Sequence, residues 1–204
     1  MTAILRAPVL AAALVALAAG DAAADEGRFS LSLRGGAFNR DDGGYADHAQ
    51  VYGLSNPEVS GGGVLEGGVR VLPRLWLLAS WSGFTSSGPR RLSELSVTSS
   101  AVLAQVGFTA WREEFATGEF PWSMRLELTA GGGYYTISDQ LDGEGRRDRA
   151  PGARVGAQVG ASWKAVGLVL SYGWHMTGAR LEDRLGGTLG AGGHEIGGGL
   201  RFEF

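Results

Sequence analysis

Apolar side chains alternate with polar or very small ones in eight separate segments of the chain. Successive side chains of a β-strand point to opposite faces, so this period of two predicts eight strands, each with one apolar face. The alternation is most regular over residues 124–135. It is less regular in the third and fourth segments, where Leu78 and Leu103 fall on the polar face. Eight is an even number of strands, as an up-and-down barrel requires. The segments cover residues 28–37, 65–71, 75–82, 102–110, 124–135, 154–163, 168–177 and 195–204.

The two faces of the segments differ in charge. No charged residue falls on an apolar face, whereas the opposite faces carry six arginines and four glutamates. This partition fits a barrel with lipid outside and a polar lumen, although a soluble, lipocalin-like barrel with its faces exchanged would show the same alternation. The lumen of an eight-stranded barrel is only wide enough for its side chains, so buried charges there are expected to pair. The predicted lumen charge network consists of Arg28, Arg34, Glu66, Arg70, Arg125, Glu127, Arg154, Glu195, Arg201 and Glu203.

The connections between segments fall into two classes, which favours the membrane alternative. Two connections are tight, at residues 72–74 and 164–165, and longer polar ones alternate with them, so the long connections share one end of the barrel. Outer-membrane barrels have this arrangement, with short periplasmic turns and long external loops. Residues 111–121 are an exception, because a long connection falls where a short turn is expected. The longer connections cover residues 39–60, 85–96, 138–149 and 178–193.

Aromatic residues gather near both ends of the segments. Amphipathic rings favour the level of the lipid headgroups, so two such groups predict the girdles of a membrane barrel. One group consists of Phe29, Trp76, Phe108, Trp111, Trp122, Trp163 and Phe202, and the other of Phe38, Trp81, Tyr134, Tyr172 and Trp174.

Residues 1–24 have the features of a secretory signal peptide. Arg6 precedes a short apolar run, and small residues before Asp25 fit a signal-peptidase cleavage site. The apolar run is too short to span a bilayer as a helix, which needs roughly 20 residues. We therefore expect a signal peptide at 1–24 and one domain at 25–204.

A cleavable signal, eight amphipathic segments and a final strand that ends in Phe204 resemble the small eight-stranded bacterial outer-membrane β-barrel proteins of the OmpA-like transmembrane type. The resemblance covers residues 25–204. It implies an all-β fold, an eight-stranded antiparallel up-and-down transmembrane β-barrel, located in the cell outer membrane. It also implies that Phe202 and Phe204 form the C-terminal insertion signal for the barrel-insertion machinery.

The composition excludes several kinds of chemistry. The chain has no cysteine, which removes disulfides, thiolate metal sites and cysteine nucleophiles. Its glycine runs lack the residues of a phosphate-binding loop, and its acidic connections lack the spacing of a calcium loop. We expect no cofactor and no metal. The net charge of −3, without a basic stripe, also argues against a nucleic-acid partner.

The predicted external connections carry a basic cluster. Arg146, Arg147 and Arg149, together with Arg90 and Arg91, could bind phosphate, because guanidinium groups suit phosphate bidentately. The expected partners are outer-membrane lipids, in particular lipopolysaccharide, and the barrel is expected to be a monomer.

One pair of residues has the composition of a catalytic site. His175 and Thr177 lie two apart on the polar face of one segment, and a histidine beside a hydroxyl, oriented by a carboxylate, can activate a nucleophile. The pair resembles the H-x-S element of outer-membrane lipid A 3-O-deacylases, which are also eight-stranded barrels. Thr177 replaces the serine, and Gly178 stands where that family has asparagine. Glu182 and Glu195 are the nearby carboxylates, and none of these residues is assigned as catalytic.

The main interpretation is a non-enzymatic integral outer-membrane β-barrel protein with a polar, plugged lumen. Its external loops would contact lipopolysaccharide or extracellular partners. A lipid A deacylase-like hydrolase and a narrow, porin-like pore are the alternatives. Seven glycines on the lumen face could leave space for a pore, or could relieve crowding in a sharply curved barrel.

Overall fold

The computed structural model describes residues 28–43, 59–87, 95–117, 120–141, 144–182 and 187–204. The predicted signal peptide and the residues Arg90 and Arg91 lie outside these ranges. In the described part of the chain there is no helix long and apolar enough to cross a membrane. The strands are β1 (Phe29–Gly43), β2 (Val59–Leu72), β3 (Leu75–Ser87), β4 (Leu95–Thr117), β5 (Phe120–Leu141), β6 (Glu144–Trp163), β7 (Val166–Thr177), β8 (Arg180–Glu182) and β9 (Thr188–Glu203).

Eight of these strands close into a barrel. Each strand from β1 to β7 pairs antiparallel with the next, β7 pairs with β9, and β9 returns to β1. The closing pairs include Leu31 with Phe202 and Ala37 with Ile196. Among the described strands, the short strand β8 pairs only with the first residues of β9, so it extends the barrel wall rather than adding a ninth position to the ring. The predicted eight-stranded antiparallel up-and-down β-barrel is confirmed.

Side chains alternate between the lumen and the outer surface. Leu170 is 69% exposed and the next residue, Ser171, is 5% exposed. Leu78 and Leu103 point into the lumen, so the predicted register of the third and fourth segments is confirmed and the interior contains apolar residues as well. Large apolar side chains are exposed on all eight barrel strands. Water-soluble monomers rarely expose an apolar surface of this extent, which suits a hydrocarbon environment instead.

Tight turns join β2 to β3 at Pro73 and Arg74, and β6 to β7 at Lys164 and Ala165, as predicted. We call this end of the barrel the turn end and the opposite one the loop end. Lys164 has a φ of 53°, the left-handed conformation that such tight turns need.

The long connection predicted over residues 111–121 is wrong. Strands β4 and β5 continue to Thr117 and from Phe120, so most of this segment is paired strand. A β-bulge explains the error, because Thr109 pairs with Glu127 and Trp111 with Leu126, leaving Ala110 as the extra residue. The bulge interrupts the period of two on which the prediction relied.

The assignment of Phe38 and Trp76 to the aromatic girdles is also wrong. Both rings lie in the lumen and are only 2% and 3% exposed. Phe38 stacks on Phe84 at a centroid distance of 5.2 Å. The face of the strand on which a residue lies decides this placement. Phe38 is four residues from the lumen-facing Arg34, so the two side chains share one face of β1. Exposed rings of the second girdle include Tyr134, Tyr172 and Trp174.

The predicted external loop at residues 178–193 contains a short hairpin, formed by β8 and the start of β9. Its apolar side chains turn inward and join the inner faces of β4 and β5. The resulting outer apolar cluster consists of Val97, Ala101, Leu103, Tyr135, Ile137, Ala179, Leu181, Leu189 and Ala191. Its members are at most 4% exposed, so apolar side chains fill much of the loop end of the lumen.

Candidate functional site

In the middle of the lumen, polar contacts of one carboxylate join opposite walls of the barrel. Arg34 on β1 forms an ion pair with Glu66 on β2, with an Nη2–Oε2 distance of 3.0 Å. Gln158, on β6 at the opposite wall, donates its Nε2 to Glu66 Oε1 at 3.1 Å. All three side chains are buried. The Glu66 carboxylate therefore ties opposite walls of the barrel together.

Arg154 on β6 is the hub of a second group, nearer the loop end. Its Nη1 donates to Gln105 at 3.0 Å and to Thr129 at 3.2 Å, and its Nη2 lies 3.4 Å from Glu195. These partners come from β4, β5 and β9. Arg154 Nε also donates to His175 Nε2 on β7 at 3.3 Å, so one guanidinium links five strands. Burying it requires every polar atom to find a partner, which this arrangement largely achieves.

Gly173 makes room for this guanidinium. A Cβ placed on Gly173 would lie 2.5 Å from Arg154 Nη2, closer than real Cβ atoms approach another atom. At this position, the space left by a lumen glycine is therefore occupied by a side chain from the neighbouring strand. It does not leave an open passage.

Towards the turn end, Arg201 connects two glutamates. It lies 3.2 Å from Glu127 and 3.0 Å from Glu203, and Glu203 also pairs with Arg125. The Arg201 guanidinium stacks over the ring of Trp76, with its Cζ 5.0 Å from the centroid. This cation–π contact explains why an aromatic residue occupies a charged lumen.

Nine of the ten residues of the predicted charge network point into the lumen, and Arg28 differs. It is exposed, because it precedes the first residue of β1 at the rim of the turn end. Arg70 lies near the same rim, with its Cζ 5.2 Å from the Trp76 ring centroid.

Arg40 is a buried lumen arginine that the sequence analysis missed. Its Nε donates to Ser99 at 3.0 Å and its Nη1 to Ser86 at 3.2 Å, and its Nη2 donates to the carbonyl of Phe84. It lies six residues beyond Arg34 on β1, so extending the alternation of the first segment would have placed it in the lumen. It was instead assigned to an external loop.

The structure does not assemble the catalytic candidates. His175 Nε2 lies 2.9 Å from Glu195 Oε2, and its Nδ1 lies 3.2 Å from the Tyr135 hydroxyl. Thr177 instead donates its hydroxyl to the carbonyl of Pro151. Glu182 is exposed on β8.

The surroundings of His175 also restrict access. The imidazole is 2% exposed, and the rings of Phe38 and Tyr135 contact it edge-on at centroid distances of 5.3 and 5.7 Å. A general base must reach its nucleophile and its substrate. Here the ring is held by Glu195 and Tyr135, as a buried structural histidine is.

Two of the cavities among the described residues lie at the ends of the barrel. One, of about 370 Å³, opens at the turn end and is lined by charged side chains, among them Arg112, Glu114 and Lys164. The other, of about 310 Å³, lies at the loop end between β4, β5 and β6 and is lined mainly by polar residues, including Arg147. Among the described residues, no group of three or more histidines and carboxylates could hold a metal ion.

The C-terminal residues complete the barrel wall. Phe202 faces outward and pairs with Val166 of β7 and Leu31 of β1. Phe204 is half exposed, and its ring stacks on Phe29 at 6.5 Å. Two backbone hydrogen bonds join the same two residues.

The sequence matches no protein-family model and no curated protein. Several solved structures are similar in fold. Neisserial surface protein A aligns over 89% of this chain and 100% of its own, at 12% identity and a TM-score of 0.48. The attachment invasion locus protein Ail of Yersinia pestis, in complex with the heparin analogue sucrose octasulfate, aligns over 86% of this chain and 99% of its own, at 18% identity and a TM-score of 0.45. The N-terminal β-barrel domain of Pseudomonas aeruginosa OprF aligns over 88% and 100%, at 16% identity and a TM-score of 0.44. The likeness of this chain to these β-barrel structures is one of fold.

Proposed function

We propose that this chain is a non-enzymatic integral outer-membrane β-barrel protein whose lumen is closed by its own side chains. The outward apolar surface supports a membrane location, because the hydrocarbon of a bilayer would cover the exposed leucines and valines of all eight strands. The signal-peptide pattern at 1–24 supports export, and the aromatic ending at Phe202 and Phe204 suits recognition by the barrel-insertion machinery. We propose a monomer, because barrel closure already pairs the first and last strands with each other.

The packing of side chains inside the barrel is the observation that supports the proposed closure of the lumen. Two different closures lie one above the other along the barrel axis. The first is the ionic group around Glu66, Arg154 and Arg201, and the second is the outer apolar cluster. An open pore would need a continuous polar path through the lumen. At the loop end, the outer apolar cluster and the buried side chain of Arg40 together occupy that path.

Neither alternative function has a comparable observation in its favour. A deacylase needs His175 to contact a hydroxyl nucleophile and an incoming lipid, whereas its ring is buried and held by Glu195. We propose instead that the external residues contact lipopolysaccharide or extracellular partners. The barrel then serves as a scaffold that holds these residues in place.

Planar-bilayer recording tests the closed lumen. The purified full-length chain, inserted into lipid bilayers, is expected to produce no stepwise single-channel current. Faster migration of the unboiled sample in a detergent gel serves as the control that the same preparation is folded, since closed barrels resist mild detergent. Reproducible current steps from a folded preparation would contradict the proposal and favour the pore.

A further inference from the structure

On one side of the barrel, at the loop end, the outward side chains change from apolar to polar. Tyr134 on β5 lies in the second aromatic girdle and is 70% exposed. Beyond it, the outward positions of β4, β5 and β6 carry hydroxyl groups and arginines in place of apolar side chains. We call this surface the polar flank, and it consists of Thr98, Ser100, Thr136, Ser138, Arg147 and Arg149.

Strand pairing arranges the polar flank in two rows. Ser100, Thr136 and Arg149 are cross-strand partners in the first row. Thr98, Ser138 and Arg147 are partners in the second row, directly above it. Each row therefore ends in an arginine on β6, after two hydroxyl side chains.

The height of the rows matches the lipid headgroups. Strands rise by about 3.3 Å per residue, so the rows lie about 7 and 13 Å along β5 from Tyr134. Aromatic girdles mark the boundary between hydrocarbon and headgroups. The polar flank thus faces sideways into the headgroup layer rather than upward into bulk water.

The charges of the polar flank are not neutralised by its neighbours. Arg147 and Arg149 are both exposed, and among the described residues neither forms an ion pair. The adjacent Arg146 differs, because it turns to the lumen side and pairs with the buried Asp139. Asp148 is likewise engaged, since its carboxylate accepts a hydrogen bond from the backbone N–H of Arg180.

A cavity of about 310 Å³ lies against the upper row, where Thr98, Ser138 and Arg147 contribute to its lining together with Ser96 and Gln140. The ion pair of Arg146 with Asp139 also lines it. Outside that ion pair, its lining offers three hydroxyl groups, the amide of Gln140 and the guanidinium of Arg147. A ligand that fits must offer hydroxyls for the former and an anionic, bidentate acceptor for the latter.

We propose that the polar flank binds the phosphorylated saccharide headgroup of an outer-leaflet lipid, with Arg147 and Arg149 bound to its phosphates and the hydroxyl rows to its sugar. This rests on the proposed location in the outer membrane and names the part of the surface that meets the lipid. The acyl chains of the ligand would lie on the apolar wall below Tyr134.

Binding of purified lipid A to the full-length chain in detergent tests this site, with dephosphorylated lipid A as the second probe. Arg147→Gln with Arg149→Gln should weaken binding of lipid A by about tenfold for each arginine, the loss expected for a charge-assisted hydrogen bond. The same double variant should leave the weaker binding of dephosphorylated lipid A unchanged. The matched control is Arg112→Gln with Arg180→Gln, which removes the same charge outside the polar flank and should bind lipid A normally.

Three outcomes would overturn the site. Equal binding of lipid A by the double variant and the control would exclude the two arginines. Equal affinity of the unmodified chain for both probes would exclude phosphate recognition. Complete displacement of lipid A by heparin would identify the polar flank as a site for soluble polyanions. Failure of the proposed function is distinguishable, because the chain would then be absent from the outer-membrane fraction of the cells.

Discussion

Replacement of Arg154 by methionine is expected to destabilise the folded barrel by about 3–5 kcal/mol, the usual consequence of removing one partner of a buried ion pair. Methionine retains much of the volume of the side chain but removes every contact of the guanidinium with β4, β5 and β9. Glu195 would remain 1% exposed and keep only the imidazole of His175 as a close polar partner. Chemical denaturation of the protein folded into lipid vesicles measures this change in the free energy of unfolding.

Two further variants distinguish the effect of an unpaired buried charge from nonspecific destabilisation of the barrel. Arg154→Met combined with Glu195→Gln should recover part of the lost stability, because no uncompensated carboxylate remains. Arg112→Met removes an arginine whose pair with Glu114 is exposed at the turn end, and should cost at most about 1 kcal/mol. Equal losses for Arg112→Met and Arg154→Met would show that Arg154 is not the hub of a buried network.

Leu170→Arg is expected to cost about 2–4 kcal/mol, as arginine does at the middle of a bilayer on the lipid-facing side of a barrel. Leu170 is exposed outward in β7, midway between Val166 at the turn end and Trp174 in the loop-end girdle. The same vesicle-based unfolding measurement applies. In water, an exposed leucine would tolerate arginine with almost no loss of stability.

Thr136→Arg is the matched control for this prediction. Thr136 also faces outward, but it lies in the polar flank beyond Tyr134, where an added arginine should change the free energy of unfolding by about 0–1 kcal/mol. A loss at Leu170 no greater than that at Thr136 would contradict the depth assigned to β7.

The period of two explains why the barrel could be predicted from the sequence. The faces of a strand follow from alternation alone, so the lumen positions of Arg34, Glu66 and Arg154 needed no knowledge of their partners. The prediction of residues 111–121 was wrong because the bulge at Ala110 adds one residue and exchanges the faces beyond it.

The filling of the loop end could not be predicted in the same way. Leu181 and Leu189 belong to a segment that has no long alternation, and they are buried because β8 and β9 bend onto the inner faces of β4 and β5. Tertiary packing of this kind leaves little local signal. Phe38 lies on the lumen face by its parity, and its ring packs beneath His175 rather than at the lipid interface.

The contacts within the candidate site could be predicted from the sequence only in part. His175 and Thr177 do share one face, as their spacing predicts. Their partners are set by the register between strands, which aligns Arg154 with His175 and Gly173 with Glu195. A single sequence does not contain that register, so it could not identify Glu195 rather than Glu182 as the contact of His175.

Spin labelling along β7 tests most directly whether lipid lies outside this barrel. The chain has no native cysteine, so single cysteines at Leu168, Val169, Leu170 and Ser171 can each carry a nitroxide in lipid vesicles. Labels at Leu168 and Leu170 should collide often with oxygen, which dissolves in hydrocarbon, and rarely with a water-soluble nickel chelate. Labels at Val169 and Ser171 should be shielded from both. Frequent collisions of the nickel chelate with the labels at Leu168 and Leu170 would place those positions in water, and would contradict the membrane barrel.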